Sequence, residues 1–254
     1  NWTPFAPGGW KGIQVGAATI FFAYIGFDAV STVAEETRNP ALDMPIGIIG
    51  SLLICTVVYI LVTVALTGMM PFMHLKDKIA EPLIVGLEYN HVSNWLIGLV
   101  AFGSVVAHTA VLLVFQMGQP RIFFSMSRDG LLPPYFARVH PRFKTPHVTT
   151  IWTGVFVAAL SAFCNINEMA DLCNIGTLFA FVLVCLGVII LRVKDPERAR
   201  PFRAPGGFWT PILGICFCLF LMTGLGLVTW LRFFGWLAIG IVIYFMYGYK
   251  NSRL

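Results

Sequence analysis

A carboxylate inside an otherwise uncharged apolar segment is the strongest chemical feature of the sequence. Asp28 is the one charged residue in the stretch 12–32. A charge at membrane depth is costly and usually faces a cavity or a partner group. Gly26, two residues earlier, weakens helix continuity by about 1 kcal/mol relative to alanine. Together these residues predict an interrupted helix, with a first half ending near Ala23 and a second half beginning after Gly26.

An interruption of this kind would expose polar backbone groups for binding. The C-terminal end of a half-helix carries partial negative charge, so its carbonyl groups attract an ammonium group. Secondary transporters bind polar substrates at such breaks. Ser31 or Thr32 followed by Glu35 resembles a capping box, which favours a helix start near that point. The alternative is a continuous helix in which Gly26 serves packing and Asp28 lies near the cytoplasmic water.

The composition places the whole chain in a membrane. Hydrophobic residues make up 57% of the 254 residues and charged residues only 11%, whereas soluble domains carry about a quarter charged residues. Backbone in lipid must satisfy its own hydrogen bonds, so the spans are predicted to be helices in an all-α integral membrane protein. A tight turn at Arg232 is predicted between the last two spans. Seven transmembrane helices are predicted, at 12–32, 45–70, 95–117, 148–166, 171–191, 208–231 and 233–248.

The distribution of basic residues predicts the orientation. Of the 17 Lys and Arg residues, 13 fall in the segments 31–44, 118–147, 192–207 and 249–254. The positive-inside rule then places the N-terminus outside and the C-terminus in the cytoplasm. We expect an odd number of helices to precede residue 1, and expect the 254 residues alone not to transport. The net charge of +5 reflects this topology, so no nucleic-acid partner is predicted.

The remaining titratable and thiol groups do not form a catalytic set. His108, alone in the third predicted span, is either a proton relay or a neutral, hydrogen-bonded interior residue. The cysteines lack metal-ligand spacing and are expected to be buried thiols, with a Cys164–Cys173 disulfide as the alternative. No enzymatic signature such as a Walker A or HExxH motif occurs. The chain is therefore predicted to be no enzyme, with no cofactor and no metal site.

Two connecting segments carry structural expectations. The loop 71–94 has apolar residues at near-helical spacing, which predicts either a short helix serving as a lid or a solvated connector. Pro120 is expected to disturb the third helix, and Gly130 and Pro133 to end it.

Several stretches resemble the amino acid–polyamine–organocation superfamily, and within it the cationic amino acid transporter branch with its bacterial relatives. The resemblance extends over nearly the whole chain. The residues that carry it are FAYIGFD at 22–28 with Glu35-Glu36 and Asn39-Pro40, Pro120-Arg121 with RDGLL at 128–132, and NIGTLFA at 174–180.

The resemblance implies a LeuT-type fold of two inverted five-helix repeats. Residues 1–254 would be a single transmembrane domain fragment lacking the five N-terminal helices. Within it, 1–191 would form the second five-helix repeat with a broken first helix, and 192–254 two peripheral helices.

The resemblance also implies a site and an activity. The carbonyl groups of Phe22, Ala23 and Ile25 would bind the substrate's ammonium group, the Phe22 ring would help close the site, and Asp28 would serve gating or coupling. The implied function is secondary active transport of an L-amino acid, cationic or small and neutral, across the plasma membrane with protons. An exchanger is the alternative, and a membrane receptor or enzyme is a more distant one. His108 matches no motif of the family.

Overall fold

The computed structural model describes residues 2–3, 5–75, 81–200 and 202–252, with the side chains at 33, 35, 36 and 75 excepted. Within this part of the chain every regular element is helical, and no strand occurs. The α-helices are α1 (Gly9–Ile20), α2 (Pro40–Met69), α3 (Pro82–Tyr89), α4 (Asn94–Arg128), α5 (His147–Phe163), α6 (Ile166–Lys194), α7 (Trp209–Met222) and α8 (Leu227–Ile243). Shorter 3-10 segments are Phe21–Tyr24, Asp28–Glu36, Phe72–Leu75 and Pro134–Ala137, and α8 continues through a π-helical turn to Asn251.

Helix ends follow from the residues found there. Proline occupies the first turn of both α2 and α3, where its missing N–H leaves no hydrogen bond unmade. The helix α6 has Glu168 in its first turn and Arg192 and Lys194 in its last turn. These charges oppose the partial charges of the helix dipole at each end, which stabilises the helix.

Five helical segments are long and apolar enough to cross a membrane. They are Gly9–Thr32, Pro40–Met69, Asn94–Arg128, Ile166–Lys194 and Leu227–Asn251. The helices α5 and α7 are apolar but have only 17 and 14 residues, which is roughly 26 and 21 Å of helix against a hydrocarbon core of about 30 Å. The predicted count of seven full spans is therefore met by five long helices and two shorter ones.

The turn between the last two helices lies nearer the N-terminus than predicted. The helix α7 ends at Met222 and α8 begins at Leu227, so the expected turn at Arg232 is wrong. Gly224 explains the position, because a Cβ there would lie 3.1 Å from the Ala18 Cβ and 3.2 Å from the Gln14 carbonyl oxygen. Only glycine allows the turn to approach α1 this closely.

Arg232 instead lies inside α8 and pairs with the start of α6. Its Nη2 is 3.1 Å from Oε1 of Glu168, with the two side chains 38% and 45% exposed. An ion pair this exposed contributes about 0–1 kcal/mol. Its main effect is to set the register of α8 beside α6.

The main hydrophobic core lies where α1, α6 and the α7–α8 turn meet. Its buried residues are Ala18, Ile175, Leu178, Met222, Leu225 and Phe233. The helices α6 and α7 make the most extensive helix–helix contact in the described chain. The outer half of the interrupted segment therefore belongs to the same packed unit as α6, α7 and α8.

Two side-chain amides tie α1 into this unit. Asn174 of α6 is fully buried and donates from Nδ2 to the carbonyl oxygens of Ala18 at 3.0 Å and Thr19 at 3.3 Å. Gln14 donates from Nε2 to the Phe220 carbonyl at 3.0 Å and to the Thr223 hydroxyl at 2.7 Å. In a low-dielectric interior such bonds hold the end of α1 against α6 and α7.

The segment Asp28–Glu36 packs elsewhere, against α2 and α4. The most apolar windows of both α2 and α4 contain no buried residue. Lipid or other protein segments must therefore cover these helices. The two halves of the interrupted segment thus contact different sets of helices.

Several local expectations have direct outcomes. Pro120 does not break α4, which continues to Arg128 and stops just before Gly130. A short helix does occur in the loop 71–94, namely α3, but residues 76–80 lie outside the described part, and the lid role stays a prediction. Ser31 and Thr32 do not cap a helix start, because their hydroxyls donate to the carbonyls of Asp28 and Ala29 within the 3-10 segment.

We expect Asn174→Ala to destabilise the packed unit. The change removes both donated bonds and leaves buried carbonyls at Ala18 and Thr19, a loss of about 1–3 kcal/mol. Asn165→Ala is the matched control, because Asn165 lies at the start of the same helix and its side chain makes no capping bond. Thermal unfolding in detergent should show a lower melting temperature for Asn174→Ala alone. Equal melting temperatures for the two variants would contradict this account of the clamp.

Candidate functional site

The first segment is interrupted at residues 25–27. One 3-10 turn, Phe21–Tyr24, ends at Ile25, whose backbone is extended with φ −61° and ψ 121°. Gly26 follows with φ +138°, a conformation that L side chains rarely adopt. The chain then re-enters a 3-10 helix at Asp28. The interruption agrees with the expectation from Gly26, although the inner half is a 3-10 helix rather than an α-helix.

Asp28 closes the loop that it follows. Its Oδ1 accepts a hydrogen bond from the Gly26 amide at 3.2 Å. The carboxylate thus satisfies an amide that the interruption removes from the helix, and such a bond favours the ionised form of the acid. Asp28 therefore acts first on the shape of the break.

Aromatic rings brace the interruption from α6. The Phe181 ring lies edge-on to Phe21, with ring centroids 6.2 Å apart. The same ring is 5.5 Å from Phe27 on the other side of the break. One residue of α6 thus contacts the chain both before and after the interruption.

The backbone carbonyls of the break have partners within the chain. Phe22 accepts from the Ile25 amide at 3.2 Å. Ala23 accepts from the Tyr59 hydroxyl of α2 at 2.8 Å. Each carbonyl oxygen can accept two hydrogen bonds, so both retain capacity for a ligand.

A cavity of about 240 Å³ lies between the interruption and α2. Of the predicted site residues, Ala23 and Ile25 line it, whereas Phe22 and Asp28 do not. Phe22 is 46% exposed and points away from this cavity's lining. The other lining residues are Tyr24, Gly26, Phe27, Val30, Ser51, Leu52, Cys55 and Tyr59.

A larger cavity lies beyond the inner half of the interrupted segment. Its volume is about 1240 Å³, and its lining comes from the segment Asp28–Glu36, from α4 and α5, and from the connection between these helices. Gln116 stands in its wall and donates from Nε2 to the Thr150 carbonyl at 2.8 Å. Charged side chains at its mouth include Arg128, Asp129 and Lys144.

The other candidate groups lie apart from the interruption. The Nδ1 atom of His108 is 2.7 Å from the Ser104 carbonyl oxygen of its own helix, and the side chain is exposed rather than interior. All six cysteines are free and none is buried, so the predicted burial and the alternative Cys164–Cys173 disulfide are both wrong. Among the described residues, no three His, Cys, Asp or Glu side chains gather as metal ligands would.

A family model for amino acid permeases matches residues 1–250. The chain belongs to the amino acid permease family. This membership confirms the superfamily that the sequence motifs indicated, and it places the chain among multi-pass membrane transporters rather than enzymes.

Similar permeases and transporters occur in bacteria and plants. In Bacillus subtilis (strain 168), the branched-chain amino acid permease BcaP is 48% identical over 254 residues, and a methylthioribose transporter is 45% identical over the same length. Each alignment covers 100% of this chain and 54% of the relative. The vacuolar cationic amino acid transporter 2 of Arabidopsis thaliana is 38% identical over 196 residues, covering 77% of this chain and 30% of the relative. The chain thus spans about half the length of its Bacillus relatives.

Tyr59 is the residue of this permease site that sequence reasoning missed. It lies in the second predicted span, where no charged residue drew attention to it. The available signal was a tyrosine in a membrane span, since a buried phenolic hydroxyl usually finds a hydrogen-bond partner. The partner itself is 36 residues away in the chain and has no local signature.

We expect Gly26→Ala to impair the permease more than a glycine replacement elsewhere. A Cβ at φ +138° strains the backbone although the nearest atom, of Phe115, is 3.9 Å away. Gly50→Ala on α2 is the matched control, because its Cβ would meet nothing within 4 Å. Substrate uptake at equal surface expression should fall at least several-fold for Gly26→Ala only. Normal uptake by Gly26→Ala would show that the break does not need this conformation.

Proposed function

We propose that this chain forms part of a permease that carries an L-amino acid across the membrane by alternating access. The observation that carries the proposal is the interruption at residues 25–27, with backbone carbonyls beside a cavity. Half-helix ends of this kind suit a zwitterionic substrate, because their partial charges match its ammonium and carboxylate groups. Membership of the amino acid permease family supports the same activity.

The proposed ammonium site consists of the carbonyl groups of Phe22, Ala23 and Ile25. Two of these residues line the smaller cavity, and the Phe22 and Ala23 carbonyls keep one acceptor position each. The Phe22 ring, at the edge of the break, is proposed to help close the site from the outside. The substrate carboxylate would be bound by segments that lie outside this chain, as the resemblance implies.

Asp28 is the proposed gating or coupling residue. It is the carboxylate nearest to the interruption, and it holds the Gly26 amide. Protonation would weaken this hydrogen bond, since a neutral acid is a poorer acceptor than a carboxylate. A change of proton occupancy would thereby alter the shape of the break, which supports a proton-coupled mechanism.

The proposed setting is the plasma membrane, with residue 1 outside and the C-terminus in the cytoplasm. The distribution of Lys and Arg residues supports this orientation. In it, the larger cavity with Arg128 and Lys144 at its mouth opens toward the cytoplasm. The remaining helices of the permease would cover the exposed faces of α2 and α4, and lipid would cover the rest.

Uptake into proteoliposomes tests the function. The complete gene product that contains this chain is reconstituted, and a pH gradient with an alkaline interior is switched on and off. The substrate panel contains branched-chain and cationic amino acids and methylthioribose, because the relatives' names include these compounds. Amino-acid uptake that follows the gradient is expected. Uptake only against preloaded amino acid would replace symport by exchange, and no amino-acid uptake would contradict the proposal.

We expect Asp28→Ala to lower uptake at least several-fold, because the Gly26 amide loses its acceptor and the coupling carboxylate is removed. Asp43→Ala is the matched control, since Asp43 is an acidic residue in the first turn of α2 and lines neither cavity. Uptake rates are compared at equal amounts of reconstituted protein. Unchanged uptake by Asp28→Ala would remove Asp28 from the site.

A further inference from the structure

The hydroxyl of Tyr59 occupies an acceptor position of the proposed ammonium site. Tyr59 projects from α2 and donates to the Ala23 carbonyl at 2.8 Å. Its ring lies edge-on to Tyr24, with centroids 5.2 Å apart and planes at 86°. Both rings line the smaller cavity. The hydroxyl is therefore held on the carbonyl by a ring that has its own packing partner.

This hydrogen bond joins two elements that are far apart in sequence. Ala23 belongs to the last 3-10 turn before the break, and Tyr59 to the middle of α2. The amide of Gly26, a potential partner of a helical Ala23 carbonyl, donates to Asp28 instead. The Tyr59 hydroxyl thus supplies a hydrogen bond to a carbonyl at which the helix is being interrupted.

We propose that the Tyr59 hydroxyl holds the Ala23 carbonyl while the site is empty and is displaced by the substrate's α-ammonium group. This inference rests on the proposed function. A neutral O–H donor forms a weaker hydrogen bond to a carbonyl than a charged N–H donor does. The ammonium group therefore takes the carbonyl, and part of its binding free energy goes into breaking the Tyr59 bond.

Displacement makes Tyr59 a determinant of affinity for the amino group in particular. A substrate that lacks the amino group leaves the Tyr59 bond in place and gains nothing from its removal. Tyr59 also releases α2 from the break when the ammonium group binds. Occupancy of the site is thereby coupled to the contact between α2 and the interrupted segment.

The test measures binding by the complete protein before and after Tyr59→Phe, which removes the hydroxyl and keeps the ring. The probes are two pairs, L-leucine with isocaproate and L-arginine with δ-guanidinovalerate, in which the second compound lacks the α-amino group. Tyr59→Phe is expected to tighten binding of the amino acid about two- to tenfold, which corresponds to the net strength of one neutral hydrogen bond. Binding of the deaminated partner is expected to stay unchanged.

Tyr24→Phe is the matched control, because it removes a hydroxyl from the same cavity while the bond to Ala23 remains. It should leave the ratio of the two affinities unchanged. Replacing Tyr59 by ring-fluorinated tyrosine gives a second variant with the opposite sign. Fluorine makes the hydroxyl a stronger donor, so amino-acid binding should weaken while the ring and fold are kept.

Unchanged or weaker amino-acid binding by Tyr59→Phe would overturn the inference. So would an equal change for the amino acid and its deaminated partner, because that result indicates a purely structural role. If the unaltered protein binds an amino acid and Tyr59→Phe does not tighten it, the proposed function stands and only this inference fails. If neither L-leucine nor L-arginine binds the unaltered protein, both fail.

Discussion

The structure depends on one constraint, which is that backbone polar groups in a bilayer need partners inside the protein. An interrupted helix is the most demanding case, because it removes the regular partners from several residues at once. Here the side chains of Asp28, Tyr59 and Asn174 supply the missing hydrogen bonds around residues 18–26. The three side chains come from three different elements. The break is therefore stable only when α2, α6 and the inner 3-10 segment are assembled around it.

The same hydrogen bonds divide the chain into two packing groups. The outer half of the segment is clamped by Asn174 and Gln14 to α6 and α7, and the main hydrophobic core lies at that point. The inner half lies against α2 and α4. Phe181 and Tyr59 contact the break from opposite groups. A local change at residues 23–28 is thus transmitted to two bodies, which suits the alternating access proposed for this permease.

Local chemistry made the break predictable, but its partners lie beyond local chemistry. Gly26 and Asp28 indicate an interruption by conformation and charge alone, and hydropathy locates the long helices. The turn at Gly224 was missed because its residues are apolar or small and its cause is a close approach to α1. The Tyr59 and Asn174 hydrogen bonds join residues 36 and 156 positions apart, and periodicity carries no information about such pairs. The cysteines were predicted to be buried because apolar flanks indicate membrane depth rather than burial in protein.

The length of α4 has a consequence for how the protein sits in a membrane. Its 35 residues extend roughly 52 Å, about 20 Å more than the hydrocarbon core. The helix must therefore tilt or project, and it ends in the basic residue Arg128, beside the mouth of the larger cavity. In the proposed orientation, anionic headgroups of the inner leaflet attract this end. Bilayer thickness and lipid charge thus become settings of the inner cavity, acting through the inclination of a single rigid rod.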